Sequence, residues 1–295
     1  FRLLPLYEIK LFDLELFMGR FARDKIIGKL QATRNDNGII FDAFCGSGIT
    51  AKMAAIGGAD MVTTHILAFY RMQGLSSMAG YLPIGDANSI TLDIGQSYLR
   101  RVVPDTPLFA GILCCDPTKD MQKFVQTLIA AGFDGIMNCP TVALIDGQYR
   151  KDLEETGLGY SHEIDILSYA ANQDIYTKAF CTNSEEAIAL AEVGVDNIVV
   201  HFGNSSGGST GSSTVLALDD MIERASVVCD AIDNKFSGKL ITVHGGSIES
   251  STDFRALLKE VPRLDGYIGG SSAERLPIEE AVPKAVQAFK SVRNV

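Results

Sequence analysis

Two stretches near the end of the chain decide the fold: Leu240-Ile241-Thr242-Val243-His244-Gly245-Gly246 and Gly266-Tyr267-Ile268-Gly269-Gly270-Ser271-Ser272. Each is a short apolar run closed by a glycine-rich turn and followed by a helical pattern. Backbone N–H groups at such turns can approach an anion without side-chain obstruction. In a (β/α)8 barrel the loops after the seventh and eighth strands often build a phosphate site. The reading therefore turns on whether the preceding chain supplies six more strand–helix units.

It does. Strands are expected at 39–44, 60–66, 107–113, 135–138, 175–180 and 197–202, each bounded by turn residues. The helices expected between them cover 48–57, 88–100, the residues after Asp116-Pro117 to 131, a segment reaching 172, then 183–193 and 218–234. A last helix is expected from about 278 to 292. Long loops are expected after the second strand, through Tyr70, Arg71, Gly74 and Gly80 to the helix at 88, and from 140 to 160. Gly58-Ala59-Asp60, Gly132-Phe133-Asp134 and Gly194-Val195-Asp196 repeat one device, a helix C-cap followed by the start of a strand. The alternation predicts a TIM (β/α)8 barrel over 21–295 with an amphipathic N-terminal extension at 1–20.

Composition narrows the partners. The 295 residues are 46% hydrophobic and carry a net charge of −10, which argues against a nucleic-acid partner. Charges interrupt every apolar stretch before membrane-spanning length, so no membrane association is expected. Six cysteines without a CxxC pair fit a reducing cytoplasm rather than a disulfide framework. The apolar leading segment and acidic surface make a homo-oligomer the expected assembly.

Chemistry in such a barrel collects where strands finish. Of four histidines, His65, His201 and His244 fall at strand ends, where each can act as acid or base, metal ligand or anion donor. His201 and His244 are the stronger candidates, and the plainer alternative is an imidazole bonded to a neighbouring loop. Asp116 after strand three could hold Mg²⁺ or abstract a proton, or could cap the next helix. Glu154 in the long fourth loop is a candidate catalytic acid. Arg71 and Arg275 are guanidinium candidates for a carboxylate or phosphate. Gly245, Gly246, Gly269, Gly270, Ser271 and Ser272 form the expected anion cradle. Lys178, within strand five, raises Schiff-base chemistry as a further option.

Several stretches together carry a family resemblance. They include Tyr70-Arg71-Met72, Gly85-Asp86-Ala87-Asn88, Leu153-Glu154-Glu155-Thr156-Gly157, Val200-His201-Phe202-Gly203, His244-Gly245-Gly246 and Ser271-Ser272-Ala273-Glu274-Arg275. The chain resembles the phosphoenolpyruvate hydrolase-like TIM-barrel family, also called the TIM-barrel signal-transduction family, over about 21–292. The resemblance implies a hydrolase, lyase or isomerase acting on a small phosphorylated or carboxylated metabolite of the phosphoenolpyruvate or phosphonopyruvate type. Its loops depart from the family's pattern at Leu67-Ala68-Phe69-Tyr70-Arg71 and Cys114-Cys115-Asp116-Pro117, leaving the early loops less polar. A non-catalytic ligand-sensing or signalling barrel is therefore the alternative.

Overall fold

Eight parallel strands close into a barrel in sequence order, with the last returning to the first. They are β1 (Ile40–Phe44), β2 (Met61–Thr64), β3 (Leu108–Ile112), β4 (Gly135–Asn138), β5 (Tyr176–Cys181), β6 (Asn197–His201), β7 (Leu240–His244) and β8 (Gly266–Gly269). The structure is a computed structural model that describes residues 21–293. The expected extension at 1–20 lies outside the described residues. No helix among them is long and apolar enough to cross a membrane.

The helices follow the strands around the outside. After α1 (Arg23–Asn35) come α2 (Gly48–Ile56), α3 (Ile66–Met72) and α4 (Ala87–Ile94), which runs through a π turn at Gly95–Leu99 into α5 (Arg100–Val102). Next come α6 (Met121–Ala130), α7 (Gly147–Glu155), α8 (Tyr160–Asn172), α9 (Ser184–Glu192), α10 (Leu218–Asp233), α11 (Ser251–Glu260) and α12 (Arg275–Ser291).

Three expectations about local structure are corrected. Residues 66–72 are helical rather than loop, because the His65 side chain accepts the Ala68 N–H and caps α3. The fourth loop holds α7, a helix with no buried residue and hence no apolar stripe to betray it in the sequence. Asp116 does not cap the helix after β3. Asp120 takes that place by accepting the Lys123 N–H, while Asp116 closes a local turn on Thr118.

The repeated Gly–x–Asp device acts on both elements it joins. Gly58, Gly132 and Gly194 take φ of +91°, +95° and +92° as helices end. The carboxylates of Asp60, Asp134, Asp196 and Asp265 then accept the N–H of Phe41, Leu108, Thr177 and Ile241, respectively. Each even strand thus begins with an aspartate that satisfies the first free donor of the odd strand before it. Helix α1 closes this end of the barrel. Its Ile26 and Leu30 pack among Ile40, Met61, Phe109, Tyr176 and Leu240, and Arg23 and Arg34 pair with Asp196 and Asp265.

Above that plug the interior is polar for one layer. Lys178 Nζ bonds Asp42 and lies 2.5 Å from Thr63 Oγ1, and Thr63 donates to Asp42. The lysine sits 3.9 Å from the Phe109 ring centroid. Phe44, Met137, Cys139, Phe180, Val199 and Ile268 form the next layer, which underlies the barrel's C-terminal mouth.

Candidate active site

The mouth holds a cavity of about 170 Å³ whose wall is built from strand ends. His65, His201 and His244 line it, with Arg71, Ser271, Asn204 and Ser205 as further polar groups and Phe44, Phe180, Leu67, Met78 and Leu144 as apolar ones. The aromatic layer orients the imidazoles. Phe44 lies 4.5 Å from His65 and 4.9 Å from His244 between ring centroids, and Phe180 lies 4.3 Å from His201.

Backbone groups fix which nitrogen of each ring carries the proton. His201 Nδ1 accepts the Gly203 N–H at 2.9 Å and His65 Nδ1 accepts the Ala68 N–H at 3.2 Å, so both rings present Nε2–H. His244 is the reverse. Its Nδ1 lies 2.8 Å from the Ile268 carbonyl, which can only accept, so Nδ1 carries the proton and Nε2 presents a lone pair.

All three rings are held neutral. Burial, with nearby Arg71, His244 and Lys178, drives His65 well below its ordinary range. Burial, with His244 and Arg224, does the same to His201. Burial brings His244 to about 4, against the opposing bond to Ile268. The mouth therefore combines two N–H donors with one nitrogen acceptor.

Arg71 is brought to this cavity, but already paired. Its Nε and Nη2 lie 2.9 and 2.6 Å from Glu274 Oε2, Nη2 also donates to the Phe44 carbonyl, and both side chains are buried. Its Nη1 faces Gly270, 3.6 Å from where a Cβ there would stand. Glu274 in turn accepts the Gly46 N–H and the Thr50 hydroxyl, tying the ends of β1 and β8 together. Sequence reasoning missed Glu274 as Arg71's partner, since a carboxylate at the start of a helix reads as an ordinary dipole partner.

The expected cradle divides. Ser271 lines the cavity, whereas Ser272 bonds the Tyr267 hydroxyl on the barrel's flank. Gly270 passes close to His244, with a Cβ there 3.0 Å from Cε1. A Cβ on Gly245 would stand 2.1 Å from the Gly203 carbonyl oxygen, and one on Gly246 would stand 2.6 Å from Met221 Sδ. These two glycines pack the β6 and β7 turns together, and Gly246 N–H is bonded to Gly203 O. Gly269 packs against Phe41 and Ala273.

Arg275, Asp116 and Glu154 are not among the cavity-lining residues. Arg275 donates to Gly207 O and pairs with Glu279, anchoring the long β6 loop to α12. Glu154 sits on α7, paired with Arg150 and accepting the Tyr160 N–H. Lys178 lies below the aromatic layer, fully buried and committed to Asp42. Cys139 does line the cavity, but burial pushes its thiol up and leaves it a poor nucleophile.

The family description "phosphoenolpyruvate hydrolase-like" matches residues 25–292. The chain belongs to this family. A curated relative of this phosphoenolpyruvate hydrolase-like chain is the ToMV resistance protein Tm-1(GCR237) of Solanum lycopersicum, 36% identical over 270 residues. That alignment covers 92% of the chain but 36% of the tomato protein, so the chain spans about a third of its relative's length. Among solved structures, phosphoenolpyruvate phosphomutase from Streptomyces platensis subsp. rosaceus is similar with a TM-score of 0.58 and 15% identity, over 90% of this chain and 87% of that one. A phosphonopyruvate hydrolase in complex with oxalate and Mg²⁺ is similar at 0.57 and 13%, over 90% and 87%. These similarities show a shared barrel.

The magnesium in that relative invites a test of this chain's donors. Mg²⁺ takes oxygen ligands in near-octahedral geometry, with carboxylates among them. The cavity here offers imidazoles, a guanidinium and hydroxyls. Asp116 Oδ1 accepts from Thr118 N and Oγ1, and Oδ2 accepts from Asn88 and lies 3.2 Å from the Lys119 ammonium, which also holds Asp86. Among the described residues no cluster of three or more His, Cys, Asp or Glu is placed to hold a metal. With its oxygens committed to Thr118, Asn88 and the Lys119 ammonium, Asp116, the expected ligand, does not fit Mg²⁺ as it stands.

Proposed function

We propose that the chain is an enzyme acting on a small carboxylate metabolite of the phosphoenolpyruvate or phosphonopyruvate type, with His244 as the proton acceptor. The observation that carries this reading is the sorting of tautomers around one cavity. His244 Nε2 can take a proton from a bound acid or from water, while His201 Nε2–H and Arg71 Nη1 hold the carboxylate and stabilise charge as it develops. Ser271 and the turn after β8 would hold a phosphate or phosphonate carried by such a substrate. At about 170 Å³ the cavity is smaller than the roughly 300–1,000 Å³ that takes drug-sized ligands, which favours a metabolite of a few carbons. A turnover panel of small 2-oxo, phosphonate and enol-phosphate acids tests the reading; no turnover of any member would sink it.

Two observations favour the sensor alternative. The Arg71 charge is already neutralised by Glu274, and a base that holds its proton only near pH 4 is weak. Oxalate binding without turnover of any panel member would support a sensing barrel.

The chain self-associates in this proposal. Residues 280–293 of α12 and its end are exposed, and Val282, Val286 and Phe289 form one apolar stripe. The flank of β8 and β1 correspondingly shows an apolar groove of about 330 Å³ lined by Ile39, Phe41, Phe254, Leu258 and Tyr267. A second copy's stripe is the occupant of matching chemistry. Light scattering should show an assembly that Phe289→Glu dissociates; a monomeric wild-type chain would refute it.

A further inference from the structure

Six buried side-chain atoms lack a hydrogen-bond partner among the described residues, and two of them, His65 Nε2 and Tyr81 Oη, belong to residues lining the same cavity. Buried polar groups are ordinarily satisfied, and leaving two unpaired at one site is costly unless a ligand completes them. Neither residue has a role in the proton transfer assigned to His244.

His65 is held for this purpose from three sides. Its Nδ1 is committed to the Ala68 N–H, its ring stands at 79° to Phe44, and a Cβ on Gly111 would come within 2.7 Å of its own Cβ. Glycine at 111 therefore gives the imidazole its room. The ring is neutral, so Nε2–H is an uncharged donor with a fixed position. Tyr81 ends a short 3-10 helix, Ser77–Tyr81, which covers the mouth from the β2 side. Its hydroxyl oxygen lies by the Thr141 backbone N–H, which can only donate to it, and burial keeps it protonated, leaving its own O–H free to donate.

We propose that His65 Nε2–H and Tyr81 O–H form a second oxygen-binding subsite on the β2 side of the cavity, across the barrel from His201. Strands β2 and β6 face each other across an eight-stranded barrel. A ligand spanning it needs oxygens at both ends. The subsite thus selects a 2-oxo acid or a short dicarboxylate over a simple monocarboxylate, and its two neutral donors suit a carbonyl oxygen on which charge develops. The inference rests on reading the cavity as a carboxylate site.

Calorimetry on the full chain with oxalate, pyruvate and propionate tests it. Tyr81→Phe should weaken oxalate and pyruvate about 10-fold, leave propionate unchanged, and leave the ligand-free melting temperature unchanged or raised, because an unpaired hydroxyl is removed. His65→Gln, which can keep an N–H donor, should lose less than His65→Leu. Equal losses for all three acids, or none, would overturn the subsite while leaving the carboxylate reading intact. A wild-type chain that binds none of them would overturn both.

Discussion

His201 and His244 stand edge to face, with ring centroids 5.0 Å apart and planes at 85°, and they carry their protons on opposite nitrogens. The pairing follows from strand register, since the two residues are direct partners across β6 and β7. What differs is the backbone each meets: an N–H from the β6 turn for one, a β8 carbonyl for the other.

Nitrogen-detected NMR reads this arrangement without a substrate. His244 should appear as the Nδ1–H tautomer and titrate near pH 4, whereas His65 and His201 should appear as Nε2–H and stay neutral to lower pH than free imidazole. A His244 that titrates near 6.5 would place it in water.

Buried neutral imidazoles also make stability depend on pH. Because the folded His244 value of about 4 lies below the ordinary 6.5, the unfolded chain binds more protons between those values, and stability falls as pH drops through that window. His65 and His201 act in the same sense, each contributing up to about 1.4 kcal/mol per pH unit. Buried Glu163, raised to about 7 from 4.5, and Asp134, also raised by burial, oppose them as two groups against three. The urea midpoint should therefore fall steadily from pH 7 to pH 5; a flat profile would contradict buried neutral histidines.

Arg71 and Glu274 are separable from the chemistry by a double substitution. Glu274→Gln should cost about 3–5 kcal/mol by leaving the buried guanidinium uncompensated, and Arg71→Met added to it should restore much of that loss. Denaturant titration checks both. Restored stability without restored oxalate binding would confirm that Arg71 serves the ligand as well as the fold.

Gly270→Ala places a methyl 3.0 Å from His244 Cε1. The ring must shift, so turnover should fall at least about 10-fold, while stability changes by about 1–3 kcal/mol. By contrast, Asp196→Ala, at the opposite end of the barrel, should lower stability and leave substrate affinity untouched. Steady-state kinetics beside thermal melts distinguishes the two.

The barrel was legible because short apolar runs alternate with helical patterns eight times, and three of the strands follow the same Gly–x–Asp start, a pattern that survives without tertiary information. Strand ends likewise pointed to His201 and His244. Helix α7 was not legible, as Gly147-Gln148-Tyr149-Arg150-Lys151-Asp152-Leu153-Glu154-Glu155 fully buries no side chain and offers only Tyr149 and Leu153 as apolar positions. Glu274 and Tyr81 were hidden for another reason. Their roles depend on contacts 203 residues away in one case and on the absence of a partner in the other. The glycines after β7 have a second reason to be glycine, since close packing between turns demands it as firmly as an anion does.

Whether His244 moves a substrate proton is settled by one NMR experiment on the full chain in D₂O with EDTA. Pyruvate, oxaloacetate, phosphoenolpyruvate and phosphonopyruvate are followed for turnover and for exchange of carbon-bound hydrogen. Wild-type protein should act on at least one of them, undiminished by EDTA, and His244→Asn should slow that reaction by about 10²–10⁴-fold while oxalate still binds. No reaction with any of the four, or an equal rate in His244→Asn, would contradict the assignment.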